Sequence, residues 1–419
     1  MRLLTRLAAL VLAAVLAVPL VPWPWVSMFV ASASPFVAVC GAVAARAVGA
    51  AALVGLPVLV IALISRRWFC RWACPVGLMS ETLAVWHGRL VRPWFPRGSA
   101  EGQSYPVSKG IGRCPPVGEW IALATFGGAI LGYPLFLWLD PLALLVGFLG
   151  AWHGPVTVAG LVAAVGLPIV AVISILFPHA WCARICPLGA VQDLLALPRQ
   201  WLRRGQSPAR ALASEPAAGA AGNPTRRVLL AAGLGAVGGL AARKVHGSTP
   251  PPIRPPGAVE EERFTGLCIR CGGCVRVCPS RIIRPDLARH GVAGLLAPVV
   301  TFDEKYCLED CRLCVEACPS GALRRLSLEE KRRHVMGLAR VDLDVCVLAC
   351  GKDCSACMRA CPYQAVSATE PADGSPSEPR VDASKCVGCG ACEVECPTDP
   401  ARRAIRVYPP AARDPMGRG

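Results

Sequence analysis

Cysteine is the residue through which this chain can do chemistry. There are 23 in 419 residues, and most fall into four runs that each close on Cys-Pro. Cys268, Cys271, Cys274 and Cys278 precede Pro279, and Cys386, Cys389, Cys392 and Cys396 precede Pro397. Both runs read C-x2-C-x2-C-x3-C-P. The run Cys307, Cys311, Cys314, Cys318-Pro319 widens the first gap by one residue. The remaining run holds five: Cys346, Cys350, Cys354, Cys357 and Cys361-Pro362. A tight loop of this spacing turns three thiolates toward one side, where they can hold a cubane iron–sulfur cluster. The Cys before Pro then ligates the neighbouring cluster, so such runs fold in pairs. Four runs predict four [4Fe–4S] clusters in two pairs. Spacing leaves two pairings open: first with second and third with fourth, or first with fourth and second with third.

In the five-cysteine run the spare residue must be chosen. Counting back from Cys-Pro puts Cys350 in the place of Cys307. An Asp four residues before the first ligand recurs at Asp303, Asp342 and Asp382, and that register favours Cys346, with Cys350 in a local insertion. A disulfide framework is the competing reading for many cysteines. Zinc ribbons also use C-x2-C pairs. Neither needs triplets closed four times by C-x3-C-P.

A second, sparser pattern precedes these runs. Phe69-Cys70-Arg71-Trp72-Ala73-Cys74-Pro75-Val76-Gly77 is echoed by Trp181-Cys182-Ala183-Arg184-Ile185-Cys186-Pro187-Leu188-Gly189. Within each pair the cysteines are four apart, on one face if helical. The four together make a candidate site for a metal or a fifth cluster; the alternative is two separate thiol pairs. Cys40 and Cys114 stand alone and read as structural.

The elements that must carry these residues follow from composition. Hydrophobic residues are 54% and charged residues 17%, with a mean hydropathy of +0.46, more apolar than an ordinary soluble chain. A bilayer core of about 30 Å needs roughly 20 apolar residues as helix. Stretches 7–29, 48–65, 119–139 and 156–178 approach that length, and 228–242 is a shorter, Ala/Gly-rich fifth. Each Cys pair follows such a stretch, and each unit opens on Ser34-Pro35-Phe36 or Asp140-Pro141-Leu142, so the units read as parallel repeats. The fold expected is therefore a membrane α-helical part, four spans in two repeats plus a fifth export or anchor span, followed by an α+β ferredoxin-like domain. The boundaries expected are 1–200 for the helical membrane domain, 201–227 for a basic linker and 228–245 for the export segment. A Pro-rich linker over 246–263, the four-motif domain over 264–400 and a tail over 401–419 complete the chain.

The net charge of +16 is uneven, with 20 Lys+Arg against 6 Asp+Glu in 1–245 and 24 against 22 beyond. A nucleic-acid binder would concentrate the excess on its soluble domain, so nucleic acid is not an expected partner. Arg-rich loops instead predict the cytoplasmic side of an inner membrane, with the four-motif domain on the periplasmic side. Thr225-Arg226-Arg227-Val228-Leu229-Leu230 reads as a twin-arginine export signal before the fifth stretch. Gly233-Leu234-Gly235-Ala236-Val237-Gly238 matches a dinucleotide fingerprint only by letters, with no strand before it. Among ionisable groups near the apolar stretches, His179, three residues before Cys182, is the candidate proton acceptor for a quinol.

With these motifs in place, the chain resembles two known families. The C-x3-C-P-x-G units resemble the NapH-type membrane iron–sulfur subunit. The residues from Thr225 onward, including Ile253-Arg254-Pro255-Pro256-Gly257-Ala258 and Cys268-Ile269-Arg270-Cys271-Gly272, resemble the NapG/MauM-type polyferredoxin. The resemblance implies a fusion of the two: a quinol dehydrogenase component taking electrons from the quinone pool in the membrane. It would pass them to a periplasmic reductase, dehydrogenase or cytochrome. NapH-type subunits often carry cytoplasmic ferredoxin motifs after the last span, and this chain does not. A maturation factor that reduces a metal centre in a partner enzyme, and a structural anchor, are the competing functions.

Overall fold

A computed structural model of the chain describes residues 2–17, 28–47, 50–90, 117–152, 158–204, 224–246, 251–291, 294–369 and 376–410. It divides into two compact units. One comprises Met1–Val245, Thr265–Cys271 and Pro319–Gly321; the other comprises His246–Phe264, Gly272–Cys318 and Ala322–Gly419.

The first unit is helical. Its principal helices are Arg2–Ala17, Pro35–Ala45, Ala50–Ile64, Pro75–Leu90, Val117–Ile130, Pro141–Ala151, Val158–Ala164, Gly166–Leu176, Pro187–Arg204 and Pro224–His246. The repeat seen in the sequence is a repeat of structure. In each half a Pro-initiated helix packs on the helix that follows it, Pro35–Ala45 on Ala50–Ile64 and Pro141–Ala151 on Val158–Ala164. The helix after each Cys pair then crosses to the other half: Pro75–Leu90 packs on Gly166–Leu176, and Pro187–Arg204 packs on Ala50–Ile64.

The helix starts are chemically specified. Ser34 caps Pro35–Ala45 by accepting from Val37 N, and Asp140 caps Pro141–Ala151 by accepting from Leu142 N and Ala143 N. A capping oxygen before a Pro at the first helical position satisfies orphan N–H groups and presets the first turn. The two caps meet: the Ser34 hydroxyl donates to Asp140 Oδ2 at 2.5 Å, and both residues are fully buried.

No helix among the described residues is long and apolar enough to cross a membrane. That finding overturns the four spans, the fifth export or anchor span and the multi-pass inner-membrane localisation expected from composition. The reason lies in where the helices stop. Ala50–Ile64 has 15 residues and carries Pro57 inside it, which gives about 22 Å at 1.5 Å per residue. Val117–Ile130 ends where Tyr133 N turns back to Gly128 O at 2.8 Å, with Gly132 at φ +85°, short of the expected 139. The stretch 156–178 is broken between Ala164 and Gly166, because Pro168 has no N–H to offer the Ala164 carbonyl. Pro224–His246 is long enough, but it carries Arg226, Arg227, Arg243 and Lys244 at its ends and glycines between them. Two of those glycines are packing residues: Gly235 lies directly over the Ala124 backbone of Val117–Ile130, and Gly239 lies against Gly128 and Tyr133. Residues 18–27 of the first expected span, most of the loop 91–116 with Cys114, residues 205–223 of the basic linker, 247–250 of the Pro-rich linker and 411–419 of the tail lie outside the described residues.

The second unit is α+β, with three two-stranded antiparallel sheets. Strand β1 (Ile283–Pro285) pairs with β2 (Pro298–Val300), β3 (Leu338–Val341) with β6 (Ile405–Tyr408), and β4 (Val366–Thr369) with β5 (Glu378–Val381). Ile283 faces Val300, Val341 faces Ile405, and Val366 faces Val381. Residues 405–408, which the sequence reads as tail, close a sheet, with Ile405 buried. Four-residue helices Gly273–Arg276, Leu313–Glu316 and Ala391–Val394, and the five-residue Ala356–Ala360, follow the C-x2-C turns.

Burial pushes the Asp140 carboxyl up to about 6, against hydrogen bonds from Ser34, Ala143 and Leu142 that pull it down. The folded state therefore holds this proton more tightly than the unfolded chain does. Its stabilising effect is full below the unfolded value near 4 and is lost as pH rises through about 6. In thermal melts between pH 4 and 7, Asp140→Asn should remove a fall of about 2–3 kcal/mol that the parent chain shows. Parallel curves for the two chains would refute this.

Candidate iron–sulfur sites

In the second unit the thiols gather by fours. One hollow is lined by Cys278, Cys307, Cys311 and Cys314, a second by Cys361, Cys386, Cys389 and Cys392, and a third by Cys346, Cys354, Cys357 and Cys396. In each, three cysteines come from one run and the fourth is the Cys-Pro residue of another. The exchange joins the first run to the second and the third to the fourth. Cys346 lines the third hollow; Cys350 is exposed and lines none of the three. Cys268 is buried, and Cys271, Cys274 and Cys318 are half-buried.

The walls are otherwise mainly apolar, with Val366, Val387 and Val407 in one hollow and Ile282, Ile283 and Val300 in another, and each hollow has one hydroxyl-bearing residue, Tyr363, Thr398 or Ser280. No carboxylate or imidazole lines any of the three. Burial pushes Cys357 up to about 11, with Cys354, Cys346 and Cys396 adding to it. Burial likewise pushes Cys389 to about 11 and raises Cys314 and Cys392. Four buried thiols that raise one another need a shared cationic centre before they can ionise. An all-sulfur donor set without oxygen ligands fits an iron–sulfur cluster.

Backbone N–H groups already point at several sulfurs: Ala365 N to Cys361 Sγ at 3.3 Å, Leu323 N to Cys318 Sγ at 3.4 Å and Ala339 N to Cys386 Sγ at 3.5 Å. Cys396 is pushed up by burial, yet the Thr398 hydroxyl, at 3.0 Å, and the N–H groups of Thr398, Ala404 and Ile405 bring it below the usual thiol value. Lys331, a residue that motif reading missed, is 3% exposed. It donates to the Leu308 carbonyl and pulls against the burial that raises Cys307.

The helical unit holds four more thiols in two pairs, one pair per half. Burial pushes Cys70 up to about 12, with Cys182 next in effect. Cys74 and Cys186 are raised by burial and then by the other thiols of the set. The two halves build this group by the same rules. Each Cys turn starts from a left-handed residue three before the first Cys, Arg67 at φ +53° and His179 at φ +63°. A Cβ on Gly77 would sit 2.9 Å from the Cys70 carbonyl, and one on Gly189 3.1 Å from the Cys182 carbonyl, which is why the motif carries Gly there.

A guanidinium braces the first Cys carbonyl of each half, and the one that braces the second half comes from the first. Arg6 pairs with Glu81 and donates to the Cys70 carbonyl at 3.2 Å. Arg67 pairs with Asp193 at 2.5 Å and donates to the Cys182 carbonyl at 3.2 Å. Glu81 and Asp193 each lie seven residues after the second Cys of their motif. His179 itself is exposed. The groups that act on Cys182 after burial are Ser80, Arg67, Arg6 and Glu81, and His179 is not among them.

These arrangements define a class: a polyferredoxin, with cysteine runs exchanged in pairs. Residues 267–322 and 349–399 match the 4Fe-4S dicluster domain family, so each matched segment spans one exchanging pair, although the second begins after Cys346. Residues 47–93 and 159–207 match a 4Fe-4S binding domain, once per half of the helical unit. The chain is 38% identical over 200 residues to the methylamine utilization ferredoxin-type protein MauM of Methylobacillus flagellatus, covering 44% of this chain and 80% of the relative. It is 36% identical over 221 residues to MauM of Methylorubrum extorquens, 47% and 97% of the two chains. The ferredoxin-type protein NapG of Escherichia coli is 34% identical over 195 residues, 43% and 82%. The chain belongs to the MauM/NapG family of ferredoxin-type iron–sulfur electron-transfer proteins. No solved structure matches it.

Cys346→Ser should lower the iron content of the purified chain, while Cys350→Ser should leave it unchanged. The reverse pattern would assign the third hollow's ligand to Cys350.

Proposed function

We propose that this chain is a four-cluster electron relay between a quinol and a partner oxidoreductase. Its helical unit is related to the NapH type, and its second unit is the polyferredoxin. The clusters, when bound, supply one-electron carriers; the chain's own residues set their ligation, order and surroundings. The ligands proposed are Cys268, Cys271, Cys274 and Cys318 for the first, Cys278, Cys307, Cys311 and Cys314 for the second, Cys361, Cys386, Cys389 and Cys392 for the third, and Cys346, Cys354, Cys357 and Cys396 for the fourth. The first set rests on spacing, by the same exchange that the other three follow.

One observation carries the relay. The Cys307 N–H donates to the Cys389 carbonyl at 2.9 Å, so ligands of two different pairs are joined directly through the backbone. Around them Val387, Cys389 and Ala391 form a small core against Tyr306, Cys307, Ala360 and Tyr363. The second and third ligand sets thus adjoin within the second unit. A chain whose clusters only stabilised separate domains would have no need of this junction. A quinol releases two electrons and two protons, and a row of one-electron sites accepts the electrons singly.

The test is anaerobic. The purified chain, clusters intact, is mixed with a menaquinol analogue and followed by low-temperature EPR. Rapid appearance of the reduced-cluster signals that dithionite also produces is the expected result. Reduction by dithionite alone would overturn quinol as the donor.

A further inference from the structure

The four thiols of the helical unit play no part in the relay just described. Each 4Fe-4S binding match contains only two cysteines of this kind, half of what a cubane cluster takes. The structure sets the two Cys turns against each other: Arg67, three residues before Cys70, donates to the Cys182 carbonyl at 3.2 Å, and Gln192, six residues after Cys186, reaches Cys70 Sγ at 3.0 Å.

Two further side chains aim at the same place. Gln192, fully buried, directs Nε2 to Cys70 Sγ at 3.0 Å, and its Oε1 has no hydrogen-bond partner. Ser80, fully buried, lies beside Cys182, and its hydroxyl also has no partner of hydrogen-bond geometry. Gln192 and Ser80 stand six residues after Cys186 and Cys74 respectively, and each serves the first cysteine of the opposite half. Unpartnered buried polar groups cost stability unless something they can bond occupies the space.

We propose that Cys70, Cys74, Cys182 and Cys186 form a single shared cage for a fifth cluster of the [4Fe–4S] type, with Gln192 and Ser80 as its hydrogen-bonding positioning residues. A mononuclear ion is disfavoured by the spread of the ligands. A tetrahedral zinc draws four sulfurs to about 2.3 Å from one point. Among the described residues no three Cys, His, Asp or Glu side chains converge in that way. The same is true of the hollows in the second unit, where four sulfurs surround a common space instead. Arg6, from the helix Arg2–Ala17, and Arg67, on the Cys70 turn, supply positive charge beside an anionic cluster, each held by its own carboxylate. The inference goes beyond the relay, and either can fail without the other.

The full chain, purified anaerobically, is assayed for iron, acid-labile sulfide, zinc and copper. The expected content is about twenty iron atoms per chain, against about sixteen if only the ferredoxin runs are loaded. Cys182→Ser should lose about four irons and one EPR signal while the others persist. Gln192→Leu keeps every thiol and guards against a misfolded Cys variant. It should leave iron unchanged but shift the midpoint potential of that one signal downward, as loss of an N–H···S bond to a cluster does. Unchanged iron and an unchanged EPR spectrum in Cys182→Ser, a zinc or copper ion lost in its place, or potentials that all stay fixed in Gln192→Leu would each overturn the fifth cage.

Discussion

A buried thiolate is costly, and this chain buries thiols in groups of four. Burial, with the neighbouring thiols adding to it, pushes Cys70 to about 12 and Cys357 and Cys389 to about 11, so none of these sulfurs is an anion at neutral pH without help. A shared cationic core removes that cost for all four at once. The rest of the second unit follows from this. Its sheets have two strands each and its Cys-bearing helices four or five residues, too little regular structure to hold a domain by apolar burial alone. The residues that would make a core, Val387, Val366, Ile283 and Val300, are wall residues of the sulfur hollows. Ligand binding and folding are one free energy in such a unit.

The helical unit answers the same constraint by symmetry. Its two halves repeat one recipe at fixed offsets from the second Cys: Gly at +3 for the close turn, a hydrogen-bonding side chain at +6, a carboxylate at +7. The recipe works only in duplicate. Gln192 reaches Cys70 and Arg67 braces the Cys182 carbonyl, each across the two halves. The Ser34–Asp140 contact makes the same point at the other end of the repeat, where the cap of one helix completes the cap of the other. Arg6 is the exception that shows what is needed: His179 occupies the position of Arg67 in the second half, and the missing guanidinium comes from the first helix instead.

Much of the second unit was legible in sequence because cysteine spacing is a direct geometric statement. Three thiolates on one tight loop can face only one object. Pairing was not legible, since the Cys-Pro residue names its neighbour only after β1 and β2, or β4 and β5, have closed. The Asp342 register favours Cys346, the residue of the two that lines the third hollow. The helical unit was misread in one respect. Apolar content measures what a segment prefers to bury, not how long its helix runs. Helix length was decided by Pro168 withholding an N–H and by the turn at Gly132, while Pro224–His246 is long enough but charged at its ends. Ser80, Gln192 and Lys331 were missed because each acts across the fold on a sulfur remote in sequence. For the first two, the shared +6 offset was the available signal.

The exchange of Cys-Pro residues also orders the sites. Each run gives three ligands to one hollow and its last to another, so the two members of a pair are tied by four residues of chain at most, from Cys274 to Cys278 or from Cys357 to Cys361. Between pairs there is no such tie, and the junction must be made by packing. The Cys307–Cys389 backbone bond makes it. That contact joins the hollow completed by Cys278 to the hollow completed by Cys361; in the relay proposed above, these two would be interior and the hollow of Cys346, Cys354, Cys357 and Cys396 would stand at one end. An electron accepted at the other end would have to pass through both interior sites before leaving. The ends alone would then meet donor and acceptor, and the interior could hold a second electron while the first departs.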